Sequence, residues 1–449
     1  LGLSVAIHAA GPSIVFVFIL GGALVYFIMY ALSEMTVANP AMGSFRSFAA
    51  KAFGRGTGFV VGWVYWAGMI LAMSSEATAI SILLREWFPA ISLPLVGSLI
   101  IAGVTGVNLL GAEKLSKLES GLAAIKIFAI GSFVVVGVLL VAGIISGNAP
   151  VGLSVIQAEP LMPGGFTGIL GSILLVMFAY AGFEIIGLAA SEAKNPKDTI
   201  PKAIRYTVIL LAGLYIFSIV VILPLIPTAE INTQASPFVA ALNRHGIGWA
   251  GTVLNIVLVT AILSTMLAAM FGLGRMMRSL ADEGMAPAWL KDKKDVPYRG
   301  ILISGFAMLA ALAFGLLFPS AYIFLISSGG FAILLTYVII MATHMRIRKS
   351  SGCPPDGKCQ MWGYPYTSIF VIAMLLIAMA SMPFVPGQAS GLIAGLILTA
   401  FFTGLYALVK AYKRKKSAST ILIRNLQANL NTESSRELGE KDEGDDNKK

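Results

Sequence analysis

Along almost the whole chain, apolar residues run on for about 20 positions at a time, and polar residues collect in the short connections between the runs. A helix of that length crosses about 30 Å of hydrocarbon, and a bilayer core admits only helices or closed barrels, so continuous runs of this kind read as membrane-spanning helices. The pattern predicts twelve spans, at 1–10, 13–33, 57–84, 93–112, 118–145, 166–191, 204–227, 247–274, 299–318, 320–343, 365–386 and 389–410. The first is incomplete, because ten residues of helix rise about 15 Å, half a bilayer, before Gly11-Pro12 interrupts the run. Its first half, and a Met, are expected to precede Leu1.

Composition agrees with an all-α integral membrane protein. Of 449 residues, 57% are hydrophobic and 12% charged, and the mean hydropathy is +0.84, far too apolar for a soluble globular domain. Connections 2–3, 4–5, 6–7, 8–9 and 10–11 and the C-terminal tail hold 29 of the 32 Lys and Arg residues. The intervening connections hold only Arg85 and Arg244, and Lys126 is the remaining one. By the positive-inside rule both termini are cytoplasmic, and the same sorting explains the net charge of +10 without a nucleic-acid partner. The chain therefore reads as a transmembrane domain over 1–410 and a cytoplasmic, partly disordered tail over 411–449, which runs from basic "KRKKS" to acidic "GEKDEGDD" without an apolar period.

Enzyme chemistry leaves no signature. There is no phosphate-cradling Gly-x-x-x-x-Gly-Lys-Ser/Thr loop and no His-Glu-x-x-His pair, and His8, His245 and His344 are far apart in sequence. Cys353 and Cys359 lie in "CPPDGKC" on a cytoplasmic connection without further ligands nearby, and are expected to be reduced, incidental thiols. No cofactor or metal is expected, and without a nucleotide-cradling loop any energy-driven step has to draw on a gradient.

Charges inside spans are informative, because burying one is expensive and such groups face a cavity or a partner. Four stand out: Glu34, Glu76, Lys126 and Glu184. Glu34 is near the cytoplasmic end of its span, where snorkelling to water or pairing with a loop base competes with direct function. Glu76 lies about two-thirds along span 3 among small residues, open to structural pairing or substrate contact. Lys126, within "GLAAIKIFAIGSFVVVGVLL", is roughly 12 Å into span 5, with snorkelling to the cytoplasmic interface as the alternative to a functional buried cation. In "LLVMFAYAGFEIIGLAASEAKNPKDTIPKAI", Gly182 sits among aromatics just before Glu184, a place for a membrane helix to unwind and line a binding site; an unbroken helix with a packing glycine is the alternative.

The pieces "AGPS" (10–13), "EMTVANPAMGSF" (34–45), "GFVVGWVYWAG" (58–68), "EATAI" (76–80), "FAYAGFEIIG" (178–187), "EAKNPKDTIPKAI" (192–204) and "GRMMRSLADEGMAP" (274–287) resemble the bacterial amino acid permeases of the amino acid–polyamine–organocation superfamily. The resemblance covers most of 1–410 and implies two inverted five-helix repeats, spans 1–5 and 6–10, followed by two extra helices, with spans 1 and 6 broken at the substrate site. It places Phe178 as an aromatic closing over the substrate, the carbonyls of Ala179, Tyr180 and Ala181 around its ammonium at the Gly182 break, and Glu184 as a group coupled to gating. Glu76 and Ser264 join the substrate-binding set. Related sodium-driven carriers hold a cation between spans 1, 5 and 8, and proton-driven members place a lysine on span 5, the position of Lys126. A desolvated lysine shifts its pKa readily, which suits proton coupling.

Two departures bear on the substrate. Where many members have a Ser/Asn pair on span 8 this chain reads "STMLAAMFG" (264–272), and Lys117 in "NLLGAEKLSKLE" stands where glutamate is common. The implied function is secondary active, proton-coupled import of an amino acid across a bacterial cell membrane, with an amino acid exchanger of the same fold as the alternative. The implied partners are the amino acid, protons and the lipid bilayer. Which amino acid is carried, and the oligomeric state, are not written in the chain.

Overall fold

The computed structural model describes residues 2–39, 45–144, 153–184, 195–231, 236–292, 296–318, 320–353 and 359–412, and not the side chains of 112–120 and 196–197. All regular structure among them is helical. In chain order the helices are α1 (Gly2–Ala10), α2 (Ile14–Ala38), α3 (Phe45–Phe53), α4 (Arg55–Leu84), α5 (Leu93–Asn108), α6 (Ala112–Val141), α7 (Ser154–Ala158), α8 (Gly165–Tyr180), α9 (Pro196–Ile222), α10 (Pro237–Arg244), α11 (Gly248–Asp282), α12 (Tyr298–Gly315), α13 (Ala321–Ser351), α14 (Tyr366–Ser381) and α15 (Ala389–Tyr412).

Among the described residues nine segments are long and apolar enough to cross a membrane. One of them, Gly2–Ala38, holds α1 and α2 joined by the 3-10 turn Gly11–Ser13, and two further apolar helices, α5 and α8, are shorter. All twelve predicted spans are thereby accounted for. Their ends differ where local chemistry decides. Span 7 begins at Pro196, since proline suits the first turn of a helix, and α13 continues to Ser351, where Arg348 and Lys349 sit near the helix's negative end. Span 6 was expected to run to 191, but its helix stops at Tyr180, and 185–194 lie outside the described residues.

The chain divides into two compact units, Leu1–Leu398 and Thr399–Lys449. In the second, the described residues are the last part of α15. In the first, α4 and α13 are innermost: 78% of the apolar window of each is buried, against 17% for α6. Polar groups on the two innermost helices are thus shut off from solvent and must be satisfied internally.

α1 packs mainly on α8, the two helices that the repeat reading makes equivalent. Their backbones touch: a Cβ added at Gly168 would lie 2.2 Å from the Ala9 carbonyl oxygen, so glycine there permits an approach that no other residue allows. The Ser172 hydroxyl donates to Ala6 O at 3.0 Å, and Ser13 N–H donates to Leu161 O at 3.1 Å. At one end of the bundle the buried Arg46 on α3 reaches across to α11, where it pairs with Glu283 and donates to Ser279 Oγ at 2.7 Å. Hydrogen bonding by this guanidinium holds the Glu283 carboxyl below the usual carboxylate range.

Of the two alternatives for Glu34, pairing replaces snorkelling: it is 4% exposed and lies against His344 Nε2 (2.7 Å) and Arg348 Nη1 (3.3 Å), a base of the predicted connection 10–11 that the structure sets one turn beyond His344 on α13. Its other oxygen accepts the Gln360 and Met361 backbone N–H groups at 2.6 and 2.7 Å, so desolvation is offset by four donors. One expectation is corrected: Cys353 and Cys359 are joined as a disulfide rather than standing as two thiols, their Cα atoms lying 5.4 Å apart, within reach of a bridge.

Candidate functional site

A cavity of about 720 Å³ opens in the middle of the first unit. Its wall is drawn from the start of α1, from α4, α6, α8, α9, α10, α11 and α13, and from the segment following α8. Phe178, Ala179, Tyr180, Ala181, Gly182, Glu76, Lys126 and Ser264 all line it, so residues up to 188 positions apart in sequence, from Glu76 to Ser264, meet at one surface. Met69, Met73 and Tyr322 make much of the remainder apolar.

The break in the eighth helix has a local cause. α8 ends at Tyr180, Ala181 is extended (φ −58°, ψ 154°), and Gly182 follows at φ +106°, a conformation that L side chains rarely adopt. A Cβ at Gly182 would meet nothing within 4 Å, so glycine is required by the backbone angle and not for space. A helix end leaves its last carbonyls without intrahelical donors, and here they fall in the stretch that faces the cavity.

Glu184 is not on the cavity wall. It is fully buried behind the break, where Oε1 accepts the Tyr65 hydroxyl and Oε2 accepts both the Tyr337 hydroxyl, each at 2.9 Å, and the Gly182 N–H at 3.0 Å. Tyr65 is on α4 and Tyr337 on α13, so one carboxylate ties the unwound backbone to the two innermost helices. Phe183 stacks on Tyr337 with ring centroids 5.0 Å apart. Tyr180 turns away from the break, donating to Phe18 O at 3.2 Å and lying over Gly21 and Gly22 of α2.

The two charged groups on the cavity wall have opposite sign. Lys126 is half-buried on α6, and its Nζ donates to Thr265 Oγ1 on α11 at 3.3 Å. Glu76 faces the same cavity from α4. A tethered cation bridging the fifth and eighth predicted spans, beside a carboxylate and a broken helix, can meet both ends of a zwitterion, and both side chains are groups able to gain and lose a proton.

Sequence reading missed Tyr65, Tyr337 and Thr265. Tyr65 lies inside the quoted "GFVVGWVYWAG", but no spacing pairs it with Glu184, 119 positions away. Glu34 and its partners lie in a separate cluster, and Glu34 is not among the residues lining the cavity.

A bundle of long apolar helices around a central cavity, with one helix broken at the wall, is the architecture of a membrane transporter. A structure of a mutant of the manganese transporter of Eremococcus coleocola shares the fold, with a TM-score of 0.56 at 14% identity over 92% of this chain and 91% of that one. Residues 1–423 match the family described as Amino acid permease. The gamma-aminobutyric acid permease of Bacillus subtilis is 31% identical over 424 residues, 93% of this chain and 90% of that protein. The gamma-aminobutyric acid permease of Escherichia coli is 32% identical, covering 89% and 88%. The aromatic amino acid transport protein AroP of E. coli is also 32% identical, covering 78% and 77%. The chain belongs to the amino acid permease family and is a multi-pass membrane protein whose relatives are named as permeases, not enzymes.

Proposed function

We propose that the protein imports an amino acid across a bacterial cytoplasmic membrane by proton-coupled alternating access, with both termini on the cytoplasmic side. The observation that carries this reading is Lys126, whose ammonium lies on the cavity wall and reaches from α6 to Thr265 on α11. Protonated, it supplies a fixed positive charge between two helices; neutral, it leaves the Thr265 hydroxyl with a weaker partner and frees the helices to separate. Net movement then follows the proton gradient. The substrate's carboxylate and ammonium bind at the broken backbone of 179–182, with Glu76 and Ser264 on the facing wall and Phe178 closing over the occupied site.

In proteoliposomes with an imposed pH gradient and no internal amino acid, wild-type protein is expected to accumulate substrate, and Lys126→Met to abolish accumulation. Uptake that requires internal amino acid, or normal accumulation by Lys126→Met at full expression, would exclude this coupling. For Phe178, removing a rigid apolar cover and its cation–π contact, roughly 0.5–2 kcal/mol, lets water reach the site. Phe178→Ala is expected to weaken substrate affinity about tenfold, and Phe178→Trp to keep most of it. Binding to purified, folded variant checks this; unchanged affinity of the alanine variant rules out the cover.

A further inference from the structure

Off the main cavity runs a side arm of about 180 Å³. The two share Leu3, Ala179 and Tyr215 among their walls, so the arm opens from the face of the broken helix. Its far wall is formed by Phe18, Phe133 and Ile219, which are at most 4% exposed, and Phe238 stands where the arm meets the main cavity. The rings are set edge to face: Phe133 and Phe238 have centroids 4.7 Å apart at 80°, and Phe18 and Tyr215 6.2 Å apart at 81°. Among the described residues lining the arm, only Tyr215 and Ser218 carry a polar side-chain atom, and the Ser218 hydroxyl is turned onto its own helix, donating to Leu214 O at 2.6 Å.

From this geometry we infer that the arm is a side-chain pocket, and that the substrate is a zwitterionic α-amino acid with an aromatic side chain. The inference rests on the proposed transport of an amino acid and adds its class. Size comes first: an apolar cavity of about 150 Å³ admits benzene, so an arm of about 180 Å³ takes one aromatic ring. Ring edges and faces already presented by Phe18, Phe133, Tyr215 and Phe238 give such a ring the offset and edge-on neighbours it prefers. Charge comes second. Among the described residues no carboxylate, amine or guanidinium lines the arm, so a lysine-like or glutamate-like side chain would be buried there without a charged partner. The polar ends of the substrate have their partners in the main cavity, where Lys126, Glu76 and the backbone at Gly182 are. A linear amino acid with its ammonium at the chain end has no apolar group to fill the arm.

The test is equilibrium binding of radiolabelled phenylalanine to the purified full-length protein without a gradient, in competition with unlabelled phenylalanine, alanine, lysine and γ-aminobutyrate. Phenylalanine is expected to bind at least roughly tenfold more tightly than the other three, the gain from burying one ring. Ser218→Leu, which fills the arm, should bring the phenylalanine-to-alanine affinity ratio towards one. Phe133→Ala, which deepens it, should shift preference from phenylalanine to tryptophan. Equal or tighter binding of alanine or γ-aminobutyrate would overturn the aromatic assignment and leave amino acid transport standing. A ratio untouched by both variants would show that the ring lies elsewhere. Absence of binding by every amino acid tested would overturn this inference and the transport reading together.

Discussion

Replacing Glu184 by alanine is expected to abolish transport and to lower the thermal stability of the purified protein by several degrees or more. The carboxylate is fully buried and accepts three hydrogen bonds, from Tyr65 on α4, Tyr337 on α13 and the N–H of Gly182. A buried donor left without an acceptor costs about 1–3 kcal/mol, so three of them amount to roughly 3–9 kcal/mol before any relaxation. Glu184→Gln separates function from folding. The amide keeps the volume and one accepting oxygen, and a tyrosine hydroxyl can rotate to accept from its NH2, but the Gly182 N–H cannot. The expected result is a folded protein that binds substrate within about threefold of wild type while its transport rate falls ten- to a hundredfold, since about 1.4 kcal/mol is a factor of ten. Equal losses of rate and affinity would count against a role in gating, and wild-type rates would count against any role.

A loss of similar size is expected for Glu34→Ala, read as folded yield and melting temperature. Its carboxylate is the shared acceptor for His344, Arg348 and the N–H groups of Gln360 and Met361. Breaking a buried ion pair by removing one partner costs about 3–5 kcal/mol, because the remaining charge is left uncompensated. Arg348 also donates to Met361 O at 3.2 Å and stands over the Tyr364 ring at 4.3 Å, so the connection before α14 loses its anchor on both sides. Glu34→Gln keeps the two backbone bonds and is expected to cost about half as much. An alanine variant that melts like wild type would show that this cluster holds nothing together.

The twelve spans were legible because a bilayer admits so few solutions: a run of about 20 apolar residues has to be a helix wherever it lies. Lys126 and Gly182 were legible for the opposite reason, each being a residue that such a run ought not to contain. Partners were not. In a helix apolar all round, no periodic stripe marks which face meets which neighbour, so Tyr65 and Tyr337 look like ordinary packing until the fold sets them on either side of Glu184. Glu34 was visible as a buried charge, yet His344 and Arg348 lie more than 300 positions along the chain. Cys353 and Cys359 failed for a third reason: a spacing of six residues permits a bridge but does not form one, and the 5.4 Å between their Cα atoms is set by the fold.

The close seam between α1 and α8 bears on how the site is filled. With Gly168 seated on the Ala9 carbonyl and Ser172 bonded to Ala6 O, α1 and the helix that breaks at Tyr180 are fastened before any substrate arrives. Their relative order is established during folding, so an arriving amino acid meets two walls already in register and loses little further chain freedom in docking. In the proposed transport, ordering this pair is therefore no part of what binding has to supply.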